Sequence, residues 1–188
     1  GTESLTLQAG TGSVTFSGAL GTGAADSLHN VTITNAAATN FNSTVNITGA
    51  LTQTNAATGT TTFANTVSVG SADLKGVAYA LNNSFASGGT TTIANSGTLT
   101  KSAGTNITST GAFNATGNVN LASNITTTDT DLTIGGNLVL AEGASVTLST
   151  GAGTAGNILL SASTDGTAGT GTESLTLQAG TGSVTFSG

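Results

Sequence analysis

The chain has 188 residues, 28 of them Gly, and contains no Pro, Cys, Met or Trp. Its formal net charge of −6 sets eight acids against Lys75 and Lys101 alone, which excludes the clustered Lys and Arg that nucleic acid and anionic membranes require. Zero Cys excludes a disulfide framework, and no apolar run reaches the length of a transmembrane segment.

Apolar residues alternate with small or polar ones in a succession of short phrases. In chain order these are SLTLQ, SVTF, NVTIT, TVNIT, TTTF, TVSV, TTTI, NVNLA, DLTIG, NLVLA, SVTLS and NILLS. Each puts its apolar side chains on one side of an extended backbone, the period of a half-buried strand. Gly, Asn and Ser between phrases supply the turns. An all-β chain follows. The exception is residues 71–85, SADLKGVAYALNNSF, which read as a loop with at most one short turn of helix.

Two repeats are superposed on this pattern. The first eighteen residues, GTESLTLQAGTGSVTFSG, recur unchanged as residues 171–188. The expected organisation is one repeat unit over 1–170, with 171–188 as the first rung of the next identical unit. A shorter period joins FNSTVNI at Phe41, FANTVSV at Phe63, IANSGTL at Ile93, FNATGNVNL at Phe113 and the looser IGGNLVL at Ile134, with Phe16 and Phe186 extending the series. Coils of about 24 residues, about seven to the unit, are the size of β-solenoid rungs. Tandem β-sandwich domains are the alternative, against which the missing Pro linkers and Trp anchor weigh.

Asn30, Asn46, Asn106, Asn118, Asn124, Asn137 and Asn157 each stand just before an apolar residue of a phrase. They are expected at tight corners in left-handed backbone, stacked as a side-chain ladder along the axis. The longest interval, from Phe63 to Ile93, is expected to eject its surplus residues as a protruding contact loop carrying Asp73, Lys75, Tyr79 and Asn82.

The phrases SLTLQAGTGSVTFSGALG, TTTFANTVSVG and GNLVLAEGASVTLSTGAG resemble the repeats of filamentous-haemagglutinin-like proteins, which are secreted bacterial adhesins and surface fibres. The resemblance covers most of the chain. It implies a right-handed parallel β-helix, export to the cell surface, and a role in adhesion, aggregation or fibre formation. It carries over no catalytic residues.

Little catalytic chemistry is legible. His29 is the only His, and no nucleophile-elbow motif accompanies it. Paired carboxylates in a groove, as glycosidases use, are disfavoured by so few acids. The chain is read as a non-enzyme. Asp129 and Asp131 are the closest acidic pair; on an extended strand they share a side and could hold Ca²⁺. No other cofactor is expected. Two acid-bearing turns, GTGAADSL before Leu28 and GTGTESL before Leu175, read as turns only. Thr pairs at Thr60 and Thr62, Thr90 and Thr92, and Thr126 and Thr128 read as strand formers that tolerate solvent. The expected function is a structural repeat of an extracellular bacterial fibre (scaffold, tether or matrix) whose units pair end to end. Neighbouring rods or surface glycans are further expected partners. The alternative is the shaft of a cell-surface adhesin, and the remote alternative a carbohydrate-active β-helix enzyme.

Overall fold

The computed structural model describes residues 2–21, 28–153, 156–169 and 171–188, with the backbone alone at 55–57. Among these residues the regular structure is entirely strand. Every strand pairing is parallel, which a sandwich of hairpin-connected strands cannot give. The pairings form three faces. On the first, Leu5, Val31, Leu51, Ala72, Thr91, Phe113, Leu132, Ile158 and Val184 are successive register partners. On the second they are Val14, Thr39, Thr61, Tyr79, Leu99, Val119, Leu138 and Thr164. The third begins with a bridge from Leu20 to Val45 and continues through Val67, Phe85, Ile107 and Ile125.

The chain visits the first, second and third faces in turn, and each circuit lies about 4.8 Å above the last. This is a parallel β-helix, a β-solenoid. About six coils are bonded to the coil below and the coil above on all three faces. Along the first face the coils run from 19 to 26 residues.

Period-two patterning explains the core. Inward side chains on each strand fill the single lumen, including Val31, Ile33, Phe41, Phe63, Leu99, Phe113 and Ile134, all essentially sealed from solvent. Phe16, Phe41 and Phe63 stack along the second face with centroids 5.0 and 4.7 Å apart and planes within 5°. Phe85, entering from the third face, meets Phe63 edge-on at 5.8 Å. Such rings contribute about 0.5–1.5 kcal/mol per pair beyond their burial.

The shorter period read from the sequence mixes faces. Phe41 and Phe63 are partners on the second face, whereas Ile93 and Ile134 both pair with Ala115 on the first. Phe113 pairs instead with Thr91 and Leu132. The interval from Phe63 to Ile93 therefore spans a change of face and contains no surplus. Residues 71–85 correct the loop expectation accordingly: Ser71–Leu81 is an eleven-residue strand at the centre of the larger sheet, followed by Phe85–Ser87.

Candidate functional site: the polar corners and the two edges of the stack

Ala50–Phe63 and Ser71–Leu81 run through the corner between the first and second faces without a break. Their inner side there carries polar groups. The Gln53 carboxamide donates to the Lys75 carbonyl (2.9 Å) and the Tyr79 hydroxyl (3.3 Å), and the Thr61 hydroxyl donates to Gln53 Oε1 (3.0 Å). All three side chains are buried, so their partners are what makes the burial tolerable. Gly76 makes room: a Cβ there would sit 2.7 Å from the Tyr79 hydroxyl. One coil higher its register partner is Asn95, whose amide donates to the Gly97 and Asn118 carbonyls and whose oxygen accepts from the Gly117 N–H.

The expected contact residues are thus distributed quite differently from a loop. Asp73 and Lys75 point outward from the first face, Tyr79 is in the core, and Asn82 is exposed just beyond the strand, accepting from the Ser102 hydroxyl. Burial first, and the Asp73 carboxylate second, push the Tyr79 phenol well above its usual range. Asp73 interrupts an outward file that reads Thr6, Thr32, Thr52, Asp73, Thr92, Asn114 and Thr133. Thr62 lies on the second face and Thr126 on the third, so the Thr pairs form no common rank.

The corner Asn residues differ from expectation in a second way. Five of the seven accept from the backbone of the next coil rather than from another Asn side chain: Asn30 from Ala50 N–H (2.9 Å), Asn106 from Asn124 (3.4 Å), Asn118 from Asn137 (3.0 Å), Asn124 from Thr147 (2.8 Å) and Asn157 from Ser183 (3.0 Å). The physical reason is register. A residue at or just before the start of a strand has its partner's N–H directly above it, and a carboxamide oxygen there reaches that donor. None of these Asn residues has a positive φ; Asp129, at 53°, is the sole non-Gly residue among those described that does. Asp129 and Asp131 occupy this same kind of corner, not a strand, and Asp131 Oδ1 accepts from both the backbone N–H (2.8 Å) and side-chain amide (3.0 Å) of Asn157. No group of three acidic, His or Cys side chains that could hold a metal occurs among the described residues.

Hydroxyls do similar work inside. Ser87, Ser109 and Thr127 are register partners on the third face, and their hydroxyls donate inward to the carbonyls of Gly89, Gly89 and Thr130. Lys101 is buried on the second face, its Nζ donating to the Ser102 carbonyl (2.8 Å) and the Thr105 hydroxyl (3.1 Å), and burial lowers its pKa. Neither the hydroxyl column nor the buried Lys was anticipated from the sequence, because Ser, Thr and Lys read as solvent-facing by type. His29 is exposed, with Nδ1 3.2 Å from the Thr48 hydroxyl. The acidic turn before Leu28 falls at 22–27, and part of the turn before Leu175 at 170, outside the described residues.

The two edges of the stack carry the repeated segment. At one edge, Ser4–Gln8 pairs on the first face with Asn30–Asn35, and Val14–Phe16 on the second with Thr39–Phe41. At the other, Ser174–Gln178 lies on the third face against Ser145–Ser149, and Val184–Phe186 on the first against Ile158–Leu160. The identical residues are therefore displaced by one face between the two edges. Among the described residues, Val184 and Phe186 are the large apolar side chains that are exposed, at 41% and 57%.

No family model, curated protein or solved structure matches the chain. Among the described residues no helix is long and apolar enough to cross a membrane.

Proposed function

We propose that the chain is a structural repeat of an extracellular bacterial fibre, a rod that acts as scaffold, tether or matrix. The observation that carries this reading is that one eighteen-residue sequence occurs twice in the same parallel stack: residues 4–16 are bonded to the coil that follows them, and residues 174–186 to the coils that precede them. A sequence that can bond a coil on either side suits a stack that repeats. Axial bonding continues around the corners through Asn and Asp side chains, which favours a stiff, protease-resistant stack. Outward rows of hydroxyl and carboxamide groups with few charges suit contact with neighbouring rods or surface glycans, and the acidic excess limits bundling.

Electron microscopy and fibre diffraction of native material test the reading. Thin filaments with an axial layer spacing of about 4.8 Å are expected. Beads at domain-sized intervals, or compact particles at every concentration, overturn it. Antibody labelling of intact cells tests the surface location.

A further inference from the structure

We propose that two buried carboxamides, Gln53 and Asn95, act as register pins. Each fixes which residues of the following coil meet its own, at a corner where the number of residues drops by two or more from one coil to the next. Among the described residues these are the buried Gln and Asn side chains, at 2% and 3% exposure.

Alternation leaves a gap in what it specifies. A slip of one residue between coils turns every inward side chain outward, but a slip of two keeps the inward set inward. Where successive coils have equal corners, register on the first face carries through to the second. Val119 follows Ala115 by four residues and Leu138 follows Ile134 by four, and these four inward side chains are all apolar. Earlier coils are uneven. The same corner takes six residues from Ile33 to Thr39, eight from Gln53 to Thr61, five from Leu74 to Tyr79 and six from Ile93 to Leu99. It shortens after the coil of Gln53 and again after the coil of Asn95. At such a step the surplus can stay at the corner, or pass in part into the second face as a two-residue slip. Both arrangements keep the same inside and outside.

Each carboxamide sits at its step and bonds to both coils. Gln53 accepts from the Thr61 hydroxyl in its own coil and donates to the Lys75 carbonyl and the Tyr79 hydroxyl in the next, so both faces of the following strand are tied to one side chain. Asn95 donates to the Gly97 carbonyl of its own coil (2.9 Å) and the Asn118 carbonyl of the next (2.9 Å), and accepts from the Gly117 N–H (3.0 Å). Gly117 leaves the room for this: a Cβ there would lie 2.7 Å from Asn95 Nδ2. A two-residue slip would carry such partners about 7 Å along the strand, out of hydrogen-bond reach. The carboxamide would then be buried without them, a cost that an apolar side chain in the same place does not incur. The pins penalise the error that alternation lets pass.

The chain has no Cys, so introduced pairs are unambiguous. Thr62 is opposite Ala80, whereas Ala78 is opposite Thr60. Thr62→Cys with Ala80→Cys therefore reads the native register, and Thr62→Cys with Ala78→Cys the slipped one. With Gln53 in place the native pair should close at least about tenfold faster on mild oxidation, because only opposed residues meet disulfide distances. Gln53→Met keeps the volume and removes the hydrogen bonds, and should bring that ratio below about threefold. Thr61→Val removes one partner only and should give a ratio between the two. Asn120→Cys with Val139→Cys against Asn120→Cys with Ala141→Cys is the control: it joins coils with equal corners and should keep its preference in both variants. Asn95→Leu should lower the preference of Thr100→Cys for Asn120→Cys over Asn118→Cys and leave the ratio at Thr62 unchanged. An unchanged ratio at Thr62 in Gln53→Met overturns the pinning role. Where the control falls with it, the chain has opened generally and Thr61→Val decides: a fall confined to Thr62 upholds the pin, and an unchanged ratio or a general fall overturns it.

Discussion

Residues 1–18 and 171–188 share every side chain, yet Phe16 stacks on Phe41 in the second face while Phe186 lies half in solvent on the first. The comparison separates two things that a strand phrase encodes. Alternation fixes that a strand forms and which side faces in; it does not fix which of three faces the strand joins. That choice falls to the neighbours: Asn30–Asn35 and Thr39–Phe41 receive one copy, Ser145–Ser149 and Ile158–Leu160 the other. A face in this coil is an address assigned by the coil next door.

The sharpest way to break the comparison is Phe41→Ala. It removes the ring that Phe16 and Phe63 both stack on, and leaves Phe16 with no more aromatic support than Phe186. A loss of about 3–5 kcal/mol is expected in chemical denaturation. The paired substitutions Phe16→Ala and Phe186→Ala sharpen it instead. The first should cost about 2 kcal/mol and the second under about 1 kcal/mol, although the local sequence is identical. Equal costs would mean that the two environments do not differ as described. Asn157→Ala loosens only the later copy, because Asn157 accepts from the Ser183 N–H; about 1 kcal/mol is expected, with faster amide exchange over 183–187 and none of that acceleration over 4–16.

The smallest effect near neutrality comes from two interior groups that touch neither copy. Lys101 has its pKa lowered by burial, so between that value and the usual 10.5 the unfolded chain binds the extra proton and stability rises with pH. Tyr79 has its pKa raised, so above about pH 10 the unfolded chain loses its proton first and stability falls. The melting temperature should climb through the alkaline range and then drop. Lys101→Met should remove the climb, and Tyr79→Phe the drop, with the contrast between Phe16 and Phe186 unchanged.

The all-β class and the coil were legible because the lumen admits only every second residue, and short apolar pairs such as those in NVTIT and TVSV record that filter directly. Coil boundaries were not. All three faces use the same phrase, so matching Phe63 to Ile93 compared residues on different faces and created a long rung that does not exist. Ser71–Leu81 was obscured for another reason: at its corner the inward positions are Gly76 and Tyr79, because the lumen there is filled by Gln53 and Thr61, which read as surface residues. A polar residue kept inside by partners from another coil leaves no local trace. The corner positions of Asn30, Asn118 and Asn157 were readable, whereas their acceptors' true donors, one circuit away in sequence, were not.

The side chains that carry hydrogen bonding around the corners also decide how the coil would bear a load. Pulled from its ends, a parallel helix stresses its ladder along the bonds, and circuits peel singly instead of shearing together. Each circuit released yields roughly 20 residues, about 70 Å of slack at full extension. The strands Ala50–Phe63 and Ser71–Leu81 pair on both faces and hold one further pair, Ala57 with Gly76, at the corner between two shifts of register, so a tear there would meet bonding where other corners have a break between strands. A coil built this way would be stiff under small loads and would give way circuit by circuit under large ones.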